Sequence, residues 1–213
     1  MKNEMNNNNT KNRRIRAAYD TNTIRVYQAY RDEIADAALK HGRFAPPFSL
    51  SRMTWIKPSF LWMMYRAGWG FKDPGQARIL AIDITREGFE WALANSVLSH
   101  CDDPLLIPEW QKRKETAPVR IQWDPERNLQ LERLDYRSIQ IGLGGEAVLH
   151  YVNEWTQRIT EVTALAHEIH ALLERGDDGK AMRLLPLEQE YPASPQLQEI
   201  LQMHAVNQEH QTS

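Results

Sequence analysis

The stretch RMTWIKPSFLWMMYRAGWG, residues 52–70, places three Trp, one Tyr, three Met, two Arg and one Lys within nineteen positions. Pro58 divides it. The residue before a proline is pushed away from helical angles, so RMTWIK reads as extended chain. Pro58 itself fits a first helical turn, where its missing N–H costs nothing. PSFLWMMYRAGW is then a helix entered directly from a strand. On it, Phe60, Leu61, Met64 and Ala67 form a packing face, while Trp62, Arg66 and Trp69 lie along another. A helix apolar nearly all round is ordinarily buried, so core is the plain role of each Met and aromatic ring. Lys57 and Arg66 do not suit a dry core, because an unpaired buried charge is costly. The strand end and one side of the helix therefore border carboxylates or a cleft that receives an anion.

The same alternation of strand and helix runs outward in both directions. Upstream, TIRVYQAY at 23–30 reads as a strand, with Ile24, Val26 and Gln28 facing one way and Arg25, Tyr27 and Ala29 the other. RDEIADAALKHG follows as a helix. Asp32 and Glu33 sit at its positive end, Lys40 and His41 near its negative end, and Gly42 is free to adopt a left-handed cap. Ile34, Ala37, Ala38 and His41 give it one narrow packing face. Downstream, residues 78–84 form a strand with Ile79, Ala81 and Asp83 opposite Leu80, Ile82 and Ile84, and Thr85 caps the next helix. From Ser99 to Ala117 the pattern weakens around Pro104 and Pro108, with Pro118 just beyond, which predicts a long surface excursion able to fold over a site. PVRIQWD at 118–124 and YRSIQIGL at 136–143 are further strands. GGEAVLHYVNEWTQRI and TALAHEIHALLERG are helical, and from about 186 a Pro-containing segment runs to a polar end.

Composition bounds the rest. A chain of 213 residues can bury a sizeable core, and the length favours one domain. Its organisation reads as a polar, Asn-rich disordered lead at 1–12, a continuous body at 13–192 and a polar C-terminal segment at 193–213. The formal net charge of −2 gives no global attraction to nucleic acid or anionic membrane, although a local basic cleft is compatible with it. The single cysteine, Cys101, excludes an internal disulfide and an all-cysteine metal site. With no signal-peptide core and no long apolar span, the expected location is cytoplasmic. The pair HEIH at 167–170 puts two rings on one helix face without a third ligand, so no metal is expected. GLGG at 142–145 lacks the residues of a P-loop and suits a strand-to-helix turn. Asp124, Glu126 and Arg127 of WDPER suit a turn with its own ion pairs, or a metal-independent nuclease or hydrolase centre.

RAAYDTNTIRVYQAY, RMTWIKPSFLWMMYRAGWG, VRIQWDPER and YRSIQIGLGGEAVLHYV together resemble the DUF4291 family over roughly residues 13–192. The order of elements in turn resembles that of the ADP-ribosyltransferase superfamily, which implies a single α+β domain with a mixed sheet core and flanking helices. In that comparison VYQAY resembles the first nicotinamide-side strand, with Gln28 as its polar residue. MTWIKPSF resembles the second strand and its helix, and Glu146 or Gln140 occupies the late catalytic region.

The resemblance implies NAD as co-substrate. Breaking the nicotinamide–ribose bond develops positive charge on the ribose, which a nearby carboxylate stabilises. Tyr27 and Trp55 would stack on the nicotinamide, Gln28 would bond its amide or the ribose, and Lys57, Arg66 and Arg137 would contact the pyrophosphate or an anionic acceptor. A cleft with Trp rings and basic residues suits a nucleotide, a nucleoside or single-stranded nucleic acid as acceptor. The same features also suit a noncatalytic nucleotide- or RNA-binding module.

Overall fold

Ile24 and Val26 point to one side of an eight-residue strand and Tyr27 to the other, and each side meets its own hydrophobic core. The computed structural model describes residues 12–101 and 103–203; the polar lead at 1–11 and the last ten positions lie outside the described residues. The elements are β1 (Arg16–Ala17), β2 (Thr23–Tyr30), α1 (Asp32–His41), β3 (Thr54–Ile56), α2 (Phe60–Ala67), β4 (Arg78–Thr85), α3 (Arg86–Ala94), β5 (Ser96–Leu98), α4 (Ile107–Thr116), β6 (Val119–Arg127), β7 (Arg133–Leu143), α5 (Gly145–His150), β8 (Thr156–Glu161), α6 (Thr163–Glu174), α7 (Asp178–Leu184), β9 (Gln189–Glu190) and α8 (Pro195–Ile200).

They build a single mixed α/β domain. β2, β4 and β8 form one antiparallel sheet in that order. β3, β7, β6 and β5 form a second, in which only the β5–β6 pair is parallel. β1 and β9 make a short antiparallel ribbon. The two larger sheets meet where Tyr27 N–H donates to the Lys57 carbonyl at 2.7 Å and Lys57 N–H returns a bond at 3.2 Å. One core gathers Ile24, Val26, Ile82, Phe89, Ile121, Ile141 and Tyr151. The other, on the opposite face of β2 and β4, gathers Tyr27, Phe60, Met64, Trp69, Ile79 and Ile169. Among the described residues no helix is long and apolar enough to cross a membrane.

Several expectations are corrected here. Pro58 precedes α2 by two positions rather than opening it; Ser59 is the cap, its hydroxyl accepting from Trp62 N–H at 3.1 Å. Trp69 does not share a face with Arg66, because left-handed backbone at Gly68 and Trp69 (φ 55° and 57°) turns its ring into the core. On α1 the buried residues are Ala35 and Ala38, and His41 is exposed. TQRI, expected to end a helix, opens strand β8 instead, since Thr156, Ile159 and the following Thr160 find ladder partners on β4. The His167 and His170 face of α6 packs on aromatic rings: Phe71 stacks on His167 with 4.3 Å between ring centres, and His170 lies against Trp69. At the far end, α8 inserts Leu197, and Leu201 follows it into the first core.

Candidate functional site

Register brings the polar residues of three strands to one place. Trp55 of β3 faces Gly142 of β7, and Gln140, two residues back on the same face, stands opposite Gln122 of β6. A cleft of about 710 Å³ opens there, lined by Gln28, Trp55, Lys57, Arg66, Gln122 and Gln140 among others. The indole of Trp55 can lie against β7 only because Gly142 has no side chain: a Cβ there would stand 3.0 Å from two of its ring carbons and 2.8 Å from Met53 Sδ. Trp55 is half-buried, so part of its surface remains open to the cleft.

Gln28 lines the cleft but spends both amide hydrogens within the protein. Its Nε2 donates to Thr54 Oγ1 at 2.6 Å and to the Trp55 carbonyl at 3.1 Å, and its Oε1 accepts from the Tyr151 hydroxyl at 2.7 Å. Its role is therefore to lock β2 against β3 and fix the backbone that carries Trp55. Gln140 holds a carboxylate. Its Nε2 donates to Asp124 Oδ2 at 2.5 Å, and Gln122 Nε2 donates to Asp124 Oδ1 at 3.0 Å, so both oxygens of Asp124 are oriented by neutral amides.

Lys57 is the most constrained charge in the cleft. Its side chain is enclosed, with only 5% of the residue exposed, and its ammonium has no hydrogen bond or ion pair among the described residues. Burial, and then the like charge of Arg66, lower its pKa to about 8 against the opposing pull of Asp124. Arg66 stands exposed at the mouth, one α2 face away from the core.

The remaining expected site residues lie elsewhere. Tyr27 is only 1% exposed and meets Phe60 edge-on at 5.4 Å in the second core, so no face of its ring is open for stacking on a nicotinamide. Arg137 is outside the cleft lining, and its guanidinium donates to the Trp123 carbonyl at 2.8 Å. Glu146 is exposed in the first turn of α5, because β7 ends at Leu143 and the left-handed Gly145 (φ 51°) turns the chain away. The described residues of 99–117 do not line the cleft. They form α4 against the β5 end of the sheet, where Trp110 Nε1 donates to the Leu98 carbonyl at 2.8 Å.

WDPER is not a turn. It is the end of β6, where the register shifts between Pro125 and Arg127, as a proline inside a ladder requires. Asp124 enters the main cleft's polar cluster, whereas Glu126 and Arg127 line a second cavity of about 350 Å³. In it Glu126 accepts from Ser59 Oγ at 2.9 Å, and Glu188 accepts from Phe60 N–H at 2.7 Å. Burial raises the pKa of both carboxyls, and the proximity of Glu126 adds to the effect on Glu188, which reaches about 8. The Arg127 guanidinium sits 3.5 Å from the centre of the Tyr65 ring. Gln122, which lines the cleft, is a member of the site that the motif reading did not name; Asp124, which that reading placed only in WDPER, joins it through Gln122 and Gln140 without itself lining the cleft. The alternation in VRIQWD, which sets Arg120, Gln122 and Asp124 on one face, was the signal that could have found them.

A family model described as "Domain of unknown function (DUF4291)" matches residues 14–191, a span that takes in every element from β1 to β9. The chain belongs to the DUF4291 family. A search of curated proteins gives no match to it. The DUF4291 match covers both cavities and all three strands that frame the cleft.

Proposed function

We propose that this DUF4291 protein is an NAD-dependent ADP-ribosyltransferase whose acceptor is a nucleotide or a nucleic-acid base. The observation that carries the reading is the convergence of Gln28, Trp55 and Gln140, from the strands that resemble the superfamily's nicotinamide-side and late catalytic strands, on one cleft with Lys57 and Arg66. In this reading NAD enters as a substrate. Trp55 offers a ring face to the nicotinamide or a base, and the basic residues favour phosphate. Asp124 replaces Glu146 as the carboxylate that stabilises positive charge on the ribose as the nicotinamide leaves. Gln122 and Gln140 hold its oxygens in place, so no reorientation is needed at that moment.

The test is incubation of the purified protein with NAD and pooled nucleotides. Release of nicotinamide together with an acceptor heavier by one ADP-ribosyl group is expected, and Trp55→Ala should weaken NAD binding by the roughly 1–3 kcal/mol of a lost stacking face. An intact NAD pool would reject the transferase. One observation favours a second reading, a noncatalytic nucleotide- or RNA-binding module: Glu146 is outside the cleft and the amide hydrogens of Gln28 are already committed. For that module, titration would show binding of nucleotide without nicotinamide release.

A further inference from the structure

We propose that Lys57 and Arg66 form a phosphate-binding subsite on the inner wall of the cleft, beside the open face of Trp55. The proposal rests on the nucleotide reading of the cleft and not on the transfer step. Its ground is a burial that no hydrogen bond or ion pair of the described protein compensates, Asp124 adding only a longer-range attraction. Both backbone polar groups of Lys57 are tied to Tyr27, so the strand cannot swing the side chain out. The side chain is enclosed, while its ammonium lines the cavity and lacks any hydrogen-bond or ion-pair partner among the described residues. A buried charge without a partner is strongly disfavoured, and a like-charged guanidinium nearby makes it worse. An anion placed between Lys57 and Arg66 removes both penalties.

Phosphate fits better than a carboxylate. A phosphoryl group offers several acceptor oxygens to the three ammonium hydrogens and to the guanidinium fork together. Trp55 precedes Lys57 by two residues on the same side of the extended chain, about 6.5 Å away at the usual strand rise. A base stacked on Trp55 can therefore carry its phosphate to Lys57. The charged groups that bear on Lys57 are Arg66 from α2 and Asp124 from β6, while β2 and β7 contribute the neutral Gln28 and Gln140. Arg52 lines the same cleft and adds positive potential, whereas Arg31, also in its lining, is ion-paired with Glu33 at 3.1 Å. Because burial and Arg66 already lower the affinity of Lys57 for its proton, a bound phosphate should restore it. Binding just above pH 8 is then accompanied by proton uptake.

The test is calorimetric titration of the full chain with AMP, ADP-ribose, NAD, adenosine and nicotinamide riboside, in buffers of different ionisation enthalpy. The phosphate-bearing probes are expected to bind roughly tenfold to a hundredfold more tightly than their nucleosides, the range for one charge-assisted hydrogen bond. Lys57→Met should erase that advantage, Lys57→Arg should keep part of it, and Arg66→Gln, at an exposed position, should reduce it without disturbing the fold. ADP-ribose and NAD binding above AMP would assign the subsite to a diphosphate bridge, and equal binding to a single phosphate. Equal affinity for AMP and adenosine, no binding of any phosphate-bearing probe, or a phosphate advantage retained in both Lys57→Met and Arg66→Gln would overturn the proposal. The transferase reading fails separately: phosphate-dependent binding without nicotinamide release rejects the transferase and keeps the subsite. Nicotinamide release indifferent to Lys57→Met keeps the transferase and rejects the subsite.

Discussion

Asp124 and Glu146 divide the two demands that a single acidic residue was expected to meet. Glu146 has the place in the chain order that the superfamily resemblance singles out, but the glycine turn after β7 puts it in solvent at a helix N-terminus. There a negative charge is worth about 0.3–1 kcal/mol to stability, and Glu146 lies outside the cleft lining. Asp124 has the surroundings: two glutamine amides on its oxygens and the field of Lys57 beside it. Asp124→Asn should therefore lower nicotinamide release by roughly 10²-fold with NAD binding largely kept, whereas Glu146→Gln should leave turnover near that of the parent. Steady-state assays of the two variants give the answer, and the opposite ranking would return the catalytic role to α5. Residue by residue, the sequence was readable where local alternation governed. Gln28 and Gln140 sit on the strands expected of them, and the same alternation already set Tyr27 on the far side of β2 from Gln28. Asp124 is legible only as part of WDPER, because Pro125 reads locally as a turn, and pairing with β7 shows a bulge there that leaves Asp124 beside Gln122 and Gln140.

At the scale of elements, the cleft depends on how β2 is fastened to β3. Two main-chain bonds between Tyr27 and Lys57 make the joint, and the Gln28 amide reinforces it through Thr54, Trp55 and Tyr151. Gln28→Leu keeps the bulk but strands the Tyr151 hydroxyl in a buried place, while Thr54 Oγ1 keeps the Tyr30 hydroxyl as a partner. A loss of about 1–3 kcal/mol per unsatisfied group is expected in urea unfolding, with Trp55 loosened and nucleotide affinity reduced. Unchanged stability would mean that the amide network does not hold the joint. Long amphipathic or capped elements were legible: β2, α1 with its left-handed Gly42, β4 and the Thr85 cap all occur where residue pattern put them. The helix after β7 was not legible in full. It widens into a π turn at Tyr151–Trp155, where the Trp155 ring fills the space over Gly88; a Cβ on Gly88 would come within 2.3 Å of it. The chain then joins β4 as β8, a choice made by a distant strand rather than by the period of the segment itself.

Across the whole molecule, residues of the β3–α2 junction line two cavities, one bordered by the buried Lys57 and the other by the buried Glu126 with the partly buried Glu188. The second cavity makes stability depend on pH. Folding raises the pKa of Glu188 from 4.5 to about 8, so between those values the folded chain holds a proton that the unfolded chain releases. Stability from this group is complete below about pH 4.5 and is lost as pH rises through about 8, and Glu126 acts with the same sign. Thermal unfolding from pH 5 to 8 should show a decline that Glu188→Gln flattens, and parallel profiles for parent and variant would remove Glu188 from the account. Neither this pair nor the cleft could be located from composition, because each joins residues far apart in the chain. Glu126 and Glu188 meet at the start of α2, and Lys57, Arg66 and Asp124 converge only once both sheets have formed.

The most direct test of the central claim, that the β2–β3–β7 cleft receives a nucleotide, is a crystal structure of the protein soaked with ADP-ribose. The account predicts a base or ribose against Trp55, a phosphate oxygen within hydrogen-bond distance of Lys57 Nζ, and a ribose hydroxyl near Asp124. ADP-ribose bound in the cavity of Glu126 and Glu188, at Glu146, or nowhere on the protein would contradict it.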